Sequence, residues 1–204
     1  MSEKNMWAIE QALYEEGVQI ICGVDEAGRG PLAGPVCAAA VILPPNTIIP
    51  GLDDSKKLSD KKRRELFPII QQTALAYGIA FASHEEIDEI NILQATYLAM
   101  ERAIAQLAVK PDYALIDGNR AKDFGLPVKT VVKGDSLSAN IAAASVLAKV
   151  TRDELMESMA EEYPGYAFEI HKGYGTKAHY AALAELGPSP IHRMTFLKKL
   201  YGGK

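Results

Sequence analysis

Cysteine is scarce in this chain, long apolar runs are missing, and there is no surplus of basic charge. The 204 residues hold two cysteines, Cys22 and Cys37. Both sit in apolar, strand-like stretches and read as buried free thiols rather than as a disulfide or a zinc site. No stretch approaches the roughly 20 apolar residues of a membrane span. The opening Met1-Ser2-Glu3-Lys4-Asn5 lacks the basic start and apolar core of a secretory signal. The expectation is a cytoplasmic protein without a membrane partner. Lys and Arg number 22 against 26 Asp and Glu, a net charge of −4 at pH 7, so bulk electrostatics does not announce a nucleic-acid binder, although such a footprint is local. Internal repeats, low-complexity linkers and an evident domain boundary are also missing, which at this length indicates one domain with at most a small appendage. A monomer is the default.

What is present begins with an apolar run over residues 18–24. It closes on Asp25 and Glu26 and opens directly into Ala27-Gly28-Arg29-Gly30-Pro31. Carboxylates beside an apolar run are costly unless something positive binds them, and the glycines let another molecule approach the main chain. The plainer reading is a surface turn with one acid capping the next element. Downstream, the pattern predicts a short helix over 6–16 and a strand over 36–43 ended by Pro44-Pro45. A helix over 60–75 is capped by Ser59, with Leu66, Ile69 and Ile70 on one face. A strand over 76–83 precedes helices over 85–90 and 92–108. Two buried strands run from Tyr113 to Asp117 and from Val128 to Val132, and a long helix covers about 138–161. The end of the chain carries a Gly-rich loop, Lys172-Gly173-Tyr174-Gly175-Thr176, and two short helices. This order predicts an α/β fold, a mixed sheet with helices on both faces. A catalytic domain would span 1–160 and a helical extension 161–204.

Asp25, Asp117 and Asp135 each come after a strand-like run, where open α/β sheets gather ligands. If those strands are neighbours, the aspartates and Glu26 converge. Carboxylates without His or Cys form a hard, all-oxygen set that selects Mg²⁺ or Mn²⁺ over Zn²⁺. Two such ions about 4 Å apart can clamp the attacking and leaving oxygens of a phosphodiester. One geometric difficulty arises: successive strand residues point to opposite faces. Either the strand breaks at Glu26, or Glu26 takes part through its carbonyl or a water. Six basic residues, Lys56, Lys57 and Lys61 to Arg64, fall close together; a solvated helix face is their plainer reading. A second basic set near the end includes His171, Lys172, His192 and Arg193.

Gly28-Arg29-Gly30-Pro31-Leu32-Ala33 also fits the dinucleotide fingerprint G-x-G-x-x-A. That motif must open a helix whose N-terminus holds a pyrophosphate, and the strand over 36–43 leaves no room for one. An NAD-type oxidoreductase is therefore disfavoured.

With the four acids in place, the chain resembles the ribonuclease HII family of bacterial type 2 ribonucleases H. The resemblance covers roughly residues 18 to 195. It rests on Gly23 to Pro35, Asp54-Ser55-Lys56-Lys57-Leu58, Asp117-Gly118-Asn119, Lys133-Gly134-Asp135, Ala142 to Asp153, and His171-Lys172-Gly173-Tyr174-Gly175-Thr176, in the family's order and without departure from its pattern. It implies a ribonuclease H-like fold with a C-terminal helical extension. It also implies hydrolysis of the RNA strand in RNA–DNA hybrids and incision 5′ of single ribonucleotides embedded in duplex DNA, leaving 3′-hydroxyl and 5′-phosphate ends. Asp25, Glu26, Asp117 and Asp135 become the metal-binding catalytic acids. The Gly28-Arg29-Gly30 segment reads the 2′-hydroxyl, Tyr174 stacks on the following deoxyribose, and Lys56 and Lys57 suit backbone phosphates. His171 and Lys172 are weaker candidates for phosphate contact; Ser145, Lys149 and Arg152 divide between function and structure, and Cys22, Cys37, His84 and His179 read as structural. A non-catalytic nucleic-acid module of the same fold is the rival. The related ribonuclease HIII carries an extra N-terminal domain, which the 24 residues before Asp25 do not supply. The terminal Leu200-Tyr201-Gly202-Gly203-Lys204 shows no sliding-clamp motif.

Overall fold

The computed structural model describes residues 5–201, so residues 1–4 and 202–204, on which part of the leader and clamp-motif readings fall, lie outside it. The expected mixed sheet is present. Its strands are β1 (Ile21–Ala27), β2 (Val36–Ile42), β3 (Ala76–Ala82), β4 (Tyr113–Asp117) and β5 (Val128–Val131), in the order β3-β2-β1-β4-β5. β1 to β3 form an antiparallel meander, whereas β4 and β5 run parallel to β1. The helices are α1 (Ala8–Glu15), α2 (Asp60–Thr73), α3 (His84–Ala105), α4 (Ala139–Glu162), α5 (Phe168–His171), α6 (Lys177–Leu186) and α7 (Lys198–Tyr201). Among the described residues no helix is long and apolar enough to cross a membrane.

The pleat sorts the core into two layers. Cys22, Val24, Val36, Ala38, Ala40, Ala114 and Ile116 face α3 through Ile87, Ala95, Tyr97 and Met100. On the opposite face Cys37, Ala39 and Val41 meet α4 and α2 through Ala143, Val146, Leu147, Leu66 and Ile70. Leu13 of α1 covers Ile21, Leu115 and Ile141 on that same side. Both cysteines are free and buried.

Several local expectations hold. Ser59 caps α2 by accepting from the Lys62 N–H at 3.2 Å. The two helices expected on either side of residue 91 meet at a break: Asn91 has φ 68° inside α3, and its Oδ1 caps the second half by accepting from the Leu93 N–H at 3.0 Å. Others move. β1 begins and ends three residues later than the apolar run suggests, because its backbone pairs continue through Ala27↔Cys37. Ile69 is solvent-exposed while Leu66 and Ile70, one helical turn apart, are buried. Three C-terminal helices replace the expected two. α4 continues through residue 160, and a cluster of Leu32, Ala33, Met156, Phe168, Leu183 and Leu197 draws on both sides of that position.

α4 crosses β1 at Gly23. A Cβ there would lie 2.2 Å from the Asn140 carbonyl carbon and 2.3 Å from the Ile141 nitrogen. Both obstacles are backbone, so neither can rotate away. Gly23→Ala should therefore force α4 off the sheet and cost about 3 kcal/mol, at the upper end for overpacking. The urea midpoint measures it, and an unchanged midpoint would show that α4 can step aside freely.

Candidate active site

β1 and β4 are parallel neighbours whose last registered pair is Val24↔Ile116. The next position on each strand is an aspartate, and the pleat turns both toward the α4 side. Asp117 is the last residue of β4, as expected for a strand-end acid. Asp25 lies within β1 rather than at its end, and Asp135 sits beyond β5 in the 3₁₀ turn Gly134–Ser136 that leads into α4. Asp25, Asp117 and Asp135 nonetheless each present an oxygen such that all three lie within 4.8 Å of one another.

The backbone holds this group in place. The Glu26 N–H donates to Asp25 Oδ1 at 2.7 Å and the Gly134 N–H to Asp117 Oδ1 at 2.7 Å. The Ser145 hydroxyl of α4 bonds Asp25 and also meets the Ser55 hydroxyl at 2.6 Å. Asp25 and Asp135 are each 3% exposed. Burial, with the Glu26 and Asp117 charges added, raises Asp25 well above the usual aspartate range. Burial and then the charges of Asp117 and Asp54 raise Asp135. Lys56 approaches with Nζ 3.5 Å from Asp135 Oδ2, its side chain 77% exposed. Burial would lower the Lys56 ammonium, but Asp135, Asp25 and Asp117 together raise it. An all-oxygen trio, two of its members buried and one half-buried, with one exposed ammonium beside it, is a donor set that fits a hard divalent cation.

Glu26 does not join the trio. β1 continues without a break through Glu26 to Ala27, so the side chain falls on the α3 face. There it pairs with Arg29 at 3.3 Å and borders a cleft of about 250 Å³ shared with Leu93, Tyr97, Asn119 and Arg120. Burial raises the Glu26 carboxyl, partly offset by Arg29. Glu26, Arg29 and Asp117 line this cleft and also a second one, of about 210 Å³, with Asp25, Gly28, Gly30, Lys56 and Tyr174.

The glycine segment is clamped from behind by two fully buried arginines. Arg193 donates to the carbonyls of Gly28 at 2.6 Å, Arg29 at 3.0 Å and Gly34 at 2.9 Å. Arg152 donates to those of Pro35, Lys172 and Ala33. Gly28 has φ +96°, and a Cβ there would strike the Arg152 guanidinium at 1.9 Å, so no other residue fits. Tyr174 is 43% exposed, with its ring against Gly30: a Cβ on Gly30 would lie 3.4 Å from Tyr174 Cε1.

Other candidates are turned elsewhere. Lys57 pairs with Asp53 at 3.5 Å and Asp54 at 3.9 Å and does not line the cleft. Both ring nitrogens of buried His171 are taken by the backbone of Tyr166 and Gly173. Lys172 bonds Glu157 at 2.8 Å and the Glu169 carbonyl. Arg64 bonds Asp60, Glu154 and Glu157, so the basic cluster is largely internally paired. The clamping role of Arg193 was not visible in the sequence. That of Arg152 could have been found from spacing, since it lies four residues from both Ala148 and Met156 on the buried side of α4.

Comparison with known proteins agrees on one family. The family model described as Ribonuclease HII matches residues 22–199. A ribonuclease HII of Geobacter metallireducens is 57% identical over 196 residues, 96% of this chain and 92% of that one. Among solved structures, ribonuclease H2 from Pyrococcus horikoshii has a TM-score of 0.72 at 28% identity and covers 87% of this chain and 93% of its own. The ribonuclease HII of the PCNA complex from Archaeoglobus fulgidus has a TM-score of 0.70 at 26% identity, with 86% and 94% covered.

Because Asp25 holds its proton more tightly when folded, its contribution favours the folded state at low pH. That contribution is lost as pH rises from about 4 through its raised folded value. Asp25→Asn should therefore stabilise the metal-free protein relative to wild type increasingly from pH 4 to pH 7. Added Mg²⁺ at pH 7 should raise the wild-type melting temperature more than that of the variant. Parallel pH profiles for the two proteins would contradict the like-charge account.

Proposed function

Because the chain belongs to the ribonuclease HII family, the bacterial type 2 ribonucleases H, we propose that it hydrolyses the RNA strand of RNA–DNA hybrids and incises duplex DNA 5′ of a single embedded ribonucleotide. The products are a 3′-hydroxyl and a 5′-phosphate, and the protein works as a cytoplasmic monomer. The observation that carries this reading is the shared cleft, in which Asp25 and Asp117 meet the glycine segment and Tyr174 while Asp135 completes the acidic trio.

A scissile phosphodiester is anionic, and three bare carboxylates would repel it. Two Mg²⁺ or Mn²⁺ ions held by Asp25, Asp117 and Asp135, with Glu26 reaching in from the α3 side, would supply the positive charge that the attacking and leaving oxygens need. The residues of the chain then bind and orient. Lys56 exchanges its Asp135 partner for a backbone phosphate, and Lys57 serves the same backbone farther out. The Gly28 and Arg29 carbonyls already accept from Arg193, whereas the N–H groups of residues 28–30 and the Gly30 carbonyl make no hydrogen bond among the described residues and are free to meet a 2′-hydroxyl. A 2′-hydroxyl accepts as well as donates, so an N–H donor can distinguish it from deoxyribose. Tyr174, lying over Gly30, stacks on the next sugar, which must be deoxyribose for the ring to fit. The pair reads an RNA-to-DNA step.

A duplex carrying one ribonucleotide should be cut once, on its 5′ side, and EDTA or Asp135→Asn should abolish the cut on a sequencing gel. Cleavage that survives EDTA would refute the metal assignment. Tyr174→Ala should lower kcat/KM at the single ribonucleotide about tenfold, equivalent to about 1.4 kcal/mol, with less effect inside a continuous RNA strand. Equal losses on both substrates would remove the junction-reading role.

A further inference from the structure

Behind the Tyr174 loop lie three buried histidines, His171, His179 and His192. The His171 and His179 rings stack with centroids 4.5 Å apart and planes at 15°, and the Phe168 ring meets both edge-on. Their hydrogen bonds assign each proton. The Ser189 N–H donates to His192 Nδ1 at 2.8 Å, so that nitrogen is bare and the proton resides on Nε2. His192 Nε2 lies 2.9 Å from His179 Nε2, which must therefore accept. The His179 proton is then on Nδ1, 2.9 Å from the Tyr174 carbonyl, to which it donates. At His171 the Gly173 N–H donates to Nδ1 at 3.2 Å, which leaves Nε2–H to donate to the Tyr166 carbonyl at 2.7 Å. Each tautomer is thus set by a hydrogen bond to a backbone group. Burial lowers His179 and pushes His192 down to about 4, which reinforces neutrality.

The chain of bonds ends on the one residue of the loop whose ring faces the cleft. The loop is irregular: Lys172 has φ 51° and Gly173 φ 84°. The Tyr174 carbonyl has two anchors, the Thr176 N–H at 2.8 Å and His179 Nδ1. We propose that His179, oriented by His192 and Ser189, is a positioning residue for Tyr174, fixing the carbonyl of that residue so that its ring stays over Gly30. The inference rests on the reading of Tyr174 as a substrate contact. Histidine suits the task because one ring joins two partners on opposite sides in a fixed plane. His179 thus acts through Tyr174 and touches neither the substrate nor the acids.

Two measurements test this. In the wild-type protein at neutral pH, ¹⁵N NMR should show His179 as the Nδ1–H tautomer and His171 and His192 as Nε2–H. A His179 proton on Nε2, or a charged ring, overturns the proposal whatever the variants do. Asn places its amide nitrogen near the Nδ1 position of histidine, whereas Gln reaches toward Nε2. His179→Gln should therefore lower kcat/KM at a single ribonucleotide about tenfold, and His179→Asn should restore most of it. Added to Tyr174→Ala, His179→Gln should cause no further loss, because both changes remove one function. If Tyr174→Ala is impaired and the two losses multiply, His179 is structural and this inference alone fails. If Tyr174→Ala cuts normally, the substrate-contact reading has failed and this inference falls with it.

Discussion

Three carboxylate oxygens within 4.8 Å of one another, two of their aspartates nearly closed to water, repel each other strongly. Something must impose that crowding, and here it is the backbone. Two parallel strands bring Asp25 and Asp117 side by side on one face, and the turn entering α4 adds Asp135 from above. Asp25 and Asp117 are held by amide hydrogen bonds, and Asp135 by the turn that carries it and by Lys56, whose ammonium is mostly in solvent. Burial and then the neighbouring charges raise the carboxyls of Asp25 and Asp135, and a bound cation would offset both effects.

The same logic of fixed backbone extends to the substrate side. The loop over residues 28–35 contains no regular structure to satisfy its carbonyls, and Arg152 and Arg193 give them five hydrogen bonds, with a sixth from Arg152 to the Lys172 carbonyl. Lysine could not do this, since a point ammonium lacks the planar fork that reaches several acceptors at once. Both guanidiniums are buried without a carboxylate partner, and burial lowers each of them. Carbonyl oxygens carry the compensating negative dipole. Tying those carbonyls inward leaves the N–H groups of residues 28–30 and the Gly30 carbonyl as the unused polar groups of the segment.

Glu26 shows how a one-residue step changes the chemistry available to a side chain. Its neighbour Asp25 faces α4 and the trio, while Glu26 faces α3 and Arg29 and borders both clefts. Asp117, Glu26 and Arg29 line both clefts and so join the two sides. The site therefore spans the end of the sheet instead of lying on one face. The C-terminal helices belong to this design as well, because α5, α6 and Arg193 carry or anchor the loops that frame the cleft.

Residue type and local order were enough to single out the acids, the glycine segment and Tyr174 as candidates, and to predict the alternation of strands and helices and the break near Asn91. Hydrophobic period, caps and hard oxygen donors are properties of short stretches of chain, and short stretches are what a sequence displays. The end of β1, the exposure of Ile69, the turn of Glu26 toward the α3 face and the diversion of Lys57, His171 and Lys172 depended on partners far away in the chain. Strand register, the opposite faces of a pleat and the burial of an arginine or histidine exist only once distant segments pair and pack. The kinds of atoms in the site were thus written in the chain, but which of them face one another was decided by the tertiary fold.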